Sequence, residues 1–169
     1  MTCSLGASAT AQSTHVHGQG QVSMAIDQNL LSMTLESPGA DIIGFEHEAR
    51  TAEEKAAVRE ALKQLSDPMF VIQLPESASC KVIQASSEVA SENGGEGHAD
   101  HEDHESEAHG SFIAEYQLAC ANIAVIDFIT FVYFDHFRNA QSLMVVLIDK
   151  NGQHRHEINR DNPILYLEK

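Results

Sequence analysis

Positive charge is the scarcest commodity in this chain. Its 169 residues include 10 Lys and Arg against 25 Asp and Glu, a formal net charge of −15 with histidine neutral. No Lys or Arg occurs between Val82 and Phe137. That scarcity argues against nucleic acid and against anionic membrane surfaces, which are held by clustered basic side chains. No apolar run reaches the roughly 18 residues that span a bilayer, so no membrane span is expected. Signatures of a serine nucleophile, a P-loop or a dinucleotide fold are missing, as is H-E-x-x-H. The regular D-x-D-x-D-G of a calcium loop is absent too. The five methionines are scattered, which disfavours a dedicated Cu(I) site. What the composition favours is a cation.

The densest chemistry lies in Glu88 to Gly110, EVASENGGEGHADHEDHESEAHG. It holds His98, His101, His104 and His109, interleaved with Glu88, Glu92, Glu96, Asp100, Glu102, Asp103, Glu105 and Glu107. Imidazole and carboxylate suit zinc and, less selectively, copper or nickel. The stretch lacks the aromatic and β-branched residues that bury a core, so a mobile metal-binding loop over 88–110 is expected. The bland alternative is a solvated acidic linker with incidental histidines. Two shorter pairs, His15/His17 and His154/His156, place imidazoles at i and i+2. On an extended segment both rings share one side. Glu46-His47 offers a further polar pair beside apolar neighbours, where a buried, hydrogen-bonded histidine is the alternative.

At the front, MTCSLGASATAQS contains Ala7-Ser8-Ala9, which looks like a signal-peptidase site. Residues 1–14 are therefore expected to be the remnant of an export signal or a stretch without structure, and 15–169 a single metal-binding domain. Cys3 is either part of that remnant or a lipidated residue. Cys80 and Cys120 flank the histidine-rich stretch, and in an exported protein a disulfide fastening the base of the insertion is expected. A pair of thiolate zinc ligands is the rival.

Patterning supplies the scaffold. Gln21 to Asp27 and Leu30 to Glu36 alternate as a hairpin. Ile42, Ile43 and Phe45 are expected in the core. Thr51 with Glu54 makes a capping box ahead of Val58, Ala61, Leu62 and Leu65 at helical spacing, ending at Asp67-Pro68. Strands are expected at Met69 to Leu74, at Ser79 to Ser87 (with Cys80, Val82 and Ile83 inward) and at Ser111 to Cys120, paired with the strand before the insertion. Others are expected at Phe128 to Phe134, at Ser142 to Asp149, after the Asn151-Gly152 turn, and near Ile164 to Leu167. The class is α+β: antiparallel sheet or sheets, one main helix, and a long disordered His/Asp/Glu-rich insertion.

Several stretches now combine: His15-Val16-His17-Gly18, Leu35-Glu36-Ser37-Pro38, Gly44-Phe45-Glu46-His47 and Thr51-Ala52-Glu53. With Cys80, the insertion, Tyr116 and Cys120, they resemble the ZrgA family of periplasmic zinc-uptake accessory proteins. The resemblance covers nearly the whole chain from His15 onward. It implies export to the periplasm of a Gram-negative bacterium, Zn2+ binding, and partnership with the soluble zinc-binding component of an ABC importer. A non-catalytic zinc collector is expected; residue chemistry and position in these motifs select His15, His17 and His47 (with Glu46) as an ordered site beside the four loop histidines. Copper or nickel storage or sensing, or a zinc-dependent hydrolase, are the alternatives.

Overall fold

Alternation of apolar and polar side chains folds the first described residues into a hairpin. β1 (Gln19–Asp27) pairs antiparallel with β2 (Leu30–Pro38) around Gln28, whose φ of +52° closes the turn. Val22, Met24, Leu31, Met33 and Leu35 all turn inward and are almost completely buried. The structure is a computed structural model and describes residues 18–91 and 110–168.

The hairpin is the centre of a six-stranded sheet ordered β3-β4-β2-β1-β6-β7. β3 (Cys80–Ser91) and β4 (Gly110–Cys120) pair with each other, as do β6 (Ser142–Asp149) and β7 (Gly152–Asn159). Every pairing is antiparallel except β1 with β6, which is parallel. A parallel neighbour needs a long crossover connection, and everything between β1 and β6 supplies it. A second sheet of two strands joins β5 (Phe128–Thr130) to β8 (Ile164–Tyr166). The expected α+β class with one main helix is therefore the observed one.

That helix, α2 (Ala52–Leu65), starts as its sequence dictates. Thr51 accepts the N–H of Glu54, and the Glu54 carboxylate reaches back to the N–H of Thr51. Ala61 and Leu65 are buried. Tyr116 donates its hydroxyl to the Leu65 carbonyl, and Ser87 donates to that of Leu62 at 2.7 Å. The helix thus covers the β3–β4 end of the inner sheet face.

Three expectations fail, each for a local reason. Met69 to Leu74 forms no strand. The Asp67 carboxylate caps the N–H of Met69, and Pro68–Phe70 turns as a 3-10 helix, leaving a single bridge from Gln73 to Thr130. Val82 and Ile83 do not enter the core; they are 49% and 60% exposed, because β3 is an edge strand with a bulge between Val82 and Gln84. The apolar run Phe128 to Phe134 is a strand only to Thr130, then passes into the short helix α3 (Tyr133–His136).

Arg160 explains that last departure. Its guanidinium donates to the carbonyls of Phe134 (2.6 Å), Phe137 (3.0 Å), Arg138 (2.9 Å) and Ala140 (2.9 Å) and lies over the Phe134 ring. One cation thereby satisfies the carbonyl of Phe134 and three more in the turn that follows α3. Arg160→Met keeps the aliphatic stem and removes every donor. It is expected to cost about 3 kcal/mol, the scale of charge-assisted bonds lost with their acceptors stranded. Chemical denaturation measures it.

Candidate metal centre

β2 ends at Pro38, and Gly39–Ile43 follow as a single turn of helix, α1. Gly39 is required there. A Cβ on it would lie 2.6 Å from the Phe45 carbonyl oxygen and 2.9 Å from that of Gly110. Gly44 then ends α1 in the left-handed region at φ +86°, a conformation that costs glycine nothing. These two glycines turn the chain back so that Phe45, Glu46 and His47 run beside the start of β4. The N–H of Gly110 donates to the Glu46 carbonyl at 3.1 Å, tying the two together.

The His47 ring stacks on Phe45, with centroids 4.7 Å apart and planes at 20°. Its Nδ1 lies 3.1 Å from the Glu48 carbonyl oxygen. With the ring proton donated there, the lone pair sits on Nε2. That nitrogen is 3.9 Å from Glu54 Oε1, and the His47 side chain is 53% exposed. Glu54 itself accepts backbone N–H groups from Thr51 and Arg50, which hold its carboxyl below the ordinary range, and His47 adds a smaller pull in the same direction. A cleft of about 370 Å3 opens here between the 43–49 stretch, Val58 of α2, and Val89 and Phe112 of the β3–β4 pair. Ile42, Ile43 and Phe45 are only partly buried around it.

The chain enters at the same end of the sheet. The N–H of Gly18 donates to Oδ1 of Asp41 in α1 at 2.8 Å, and Asp41 is 2% exposed. The Gly18 carbonyl accepts from Gln141 and Ser142, both at 2.9 Å. So the residue following His17 and the residue following His109 are both hydrogen-bonded to the stretch from Asp41 to Glu46 that leads into His47. His15, His17, His98, His101, His104 and His109 lie outside the described residues, as does most of the expected loop. Its outer parts are strand: Glu88 to Ser91 belong to β3 and Gly110 to β4.

The remaining pair is elsewhere. His154 and His156 lie on β7, at the opposite edge of the sheet from β3. His154 pairs in register with Leu147, five residues along β6 from Ser142 beside Gly18, roughly 17 Å at strand spacing. Among the described residues, no three His, Cys, Asp or Glu side chains already stand together as a metal site.

Cys80 and Cys120 are joined as a disulfide, so neither sulfur is a free thiolate. Its position corrects the expectation. Cys80 faces Cys120 at the open end of the hairpin, whereas Ser91 faces Gly110 at the other end, roughly 35 Å away along the strands. The bond fastens the foot of the β3–β4 arm rather than the root of the insertion. Glu54 is the neighbour of His47 that sequence missed as a site residue; its capping box was legible, but the fold of residues 44–50 over it was not.

The profile described as ZrgA family zinc uptake protein matches residues 14–167. No curated protein matches the chain.

Proposed function

The chain belongs to the ZrgA family of zinc uptake proteins, and from that premise we propose that it is a non-catalytic periplasmic collector of Zn2+. The observation that supports the proposal is that Gly18, which follows His17, and Gly110, which follows His109, are both hydrogen-bonded to the stretch leading into His47. Gly18 is bound to Asp41, Gly110 is bound to Glu46, and His47 and Gly110 both line the cleft. His15, His17 and His47, with Glu46, are the proposed tighter site. His98, His101, His104 and His109 are the proposed capturing set.

Net charge of −15 draws cations toward the surface. Imidazoles then hold a borderline ion more selectively than carboxylates do. Because capturing and tighter ligands share one chain, an ion released by the first meets the second at an effective concentration of order mM. The proposed recipient is the soluble zinc-binding component of an ABC importer, to which an exchanging site passes the ion directly. Among the described residues no helix is long and apolar enough to cross a membrane.

Calorimetric titration of Zn2+ into the full chain should find several bound ions. Deleting 92–108 is expected to remove the weaker ones, and His47→Ala to weaken the tightest by about tenfold or more. Unchanged stoichiometry after the deletion refutes the capturing role. Transfer to the importer's binding component should outpace spontaneous release to a chelator; equal rates refute direct handover.

A further inference from the structure

β7 carries a feature that the uptake proposal does not use. Along Gly152–Asn159, Gln153, Arg155 and Glu157 are exposed while His154 and His156 are half-buried and Ile158 is buried. Both imidazoles therefore lie on the core-facing side of an edge strand, at the rim of the core. The Nε2 of His154 is buried yet has no hydrogen-bond partner among the described residues. A buried ring nitrogen with nothing to bond is costly, and something in solution is expected to satisfy it.

The nearest ligand atom is a carboxylate. Asp149 Oδ1 lies 3.8 Å from that nitrogen, and the Asp149 side chain is only 9% exposed. This is beyond hydrogen-bonding range. It is close to the roughly 3.4 Å that separates two ligand atoms on a tetrahedral zinc with bonds of about 2.0–2.1 Å. The same Oδ1 accepts the N–H of Asn151 at 2.7 Å, which orients the carboxylate as an outer partner orients a metal ligand. The His154 and His156 ring centroids are 6.4 Å apart. Rings sharing one ion stand about 5–6 Å apart by the same bond lengths, so closure asks for a shift of about 1 Å on an edge strand with room to give.

The hairpin fixes these groups without help from elsewhere. Asp149 pairs with Gly152, and His154 and His156 face Leu147 and Val145. Asp149 also lines a cleft of about 490 Å3 with Asp27, Glu168 and Lys150, three carboxylates against one ammonium, a net negative approach for a cation. We propose that Asp149, His154 and His156 form a second site for a divalent transition-metal ion, built on the β6–β7 hairpin and independent of the ligands around His47.

The test follows histidine ring nitrogens of the full chain by NMR while Zn2+ is added. The His154 and His156 rings are expected to shift together as one ion binds. Asp149→Asn keeps the acceptor for Asn151 and is expected to weaken that response by about tenfold or more, with the His47 response unchanged. If both rings stay unmoved in excess zinc, or if the Asn variant titrates like the parent, the site is overturned and His154 is only an ionic partner of Asp149. Failure of the uptake proposal would show instead at His47 and the 98–109 histidines, so the two outcomes are separable.

Discussion

Unfolding free energy is expected to fall by about 3 kcal/mol between about pH 9 and pH 11, because two buried tyrosines must stay neutral in the fold. Tyr116 and Tyr133 are each about 1% exposed or less. Burial, the largest cause for both, pushes their phenols well above the ordinary tyrosine range. Asp67 adds to the shift at Tyr116 and Asp41 at Tyr133, while the Ser37 hydrogen bond and Arg160 oppose it at Tyr133. A raised folded-state pKa on an acid means the native state holds its proton after the unfolded chain has lost it. The contribution is therefore whole below the unfolded value near 10 and is lost as pH rises through it toward the folded value. Each tyrosine adds at most about 1.4 kcal/mol per pH unit in that window. Urea denaturation across the range measures the slope. Tyr116→Phe serves as the internal check: it strands the Leu65 carbonyl, costing about 1–2 kcal/mol at neutral pH, but should halve the alkaline slope. A slope unchanged by that variant would show that Tyr116 is not the titrating group.

Replacing both Cys80 and Cys120 by alanine is expected to cost roughly 4 kcal/mol, the chain-entropy value for a bridge spanning about forty residues. The sequence separation is 40. The effect acts mainly on the unfolded chain, which regains the freedom that the bond denied it. Against the 5–15 kcal/mol typical of a whole domain, the loss is large. The bond's position makes a second result decisive. Because Cys80–Cys120 lies at the opposite end of the β3–β4 arm from Ser91 and Gly110, the folded variant should keep its zinc stoichiometry. Loss of zinc at temperatures where the variant remains folded would show that the bridge shapes the proposed metal-binding end after all. Denaturation and zinc titration on one preparation decide both points.

Much of this architecture was readable before any coordinate. Alternation at Val22, Met24 and at Phe112, Ala114, Tyr116 survives because a sheet with one buried face imposes a period of two on whatever folds into it. The Thr51–Glu54 box is a local reciprocal bond and needs no tertiary context. The runs that misled are those where local preference was overruled. Phe128 to Phe134 looks like strand by composition, yet its end turns into α3, where Arg160, 26 residues on, binds the carbonyl of Phe134 and those of Phe137, Arg138 and Ala140 beyond it. Val82 and Ile83 are apolar but lie on an edge, where being apolar does not secure burial.

The candidate chemistry divides along the same line. Sequence alone determined the ligand types, their spacing and the anionic field, since these follow from side-chain identity. It also indicated the family. Which candidate side chains lie near one another followed from the fold. Hydrogen bonds from the Gly18 N–H to the Asp41 carboxylate and from the Gly110 N–H to the Glu46 carbonyl hold Gly18 and Gly110 against the stretch leading into His47, while the sheet order sends His154 and His156 to the far edge beside Asp149. Such meetings depend on strand order and register. For the first meeting these are set by the packing of the whole core, outside any short window of sequence; the approach of His154 to Asp149 is local to one hairpin, and only its place on the sheet waited on the fold.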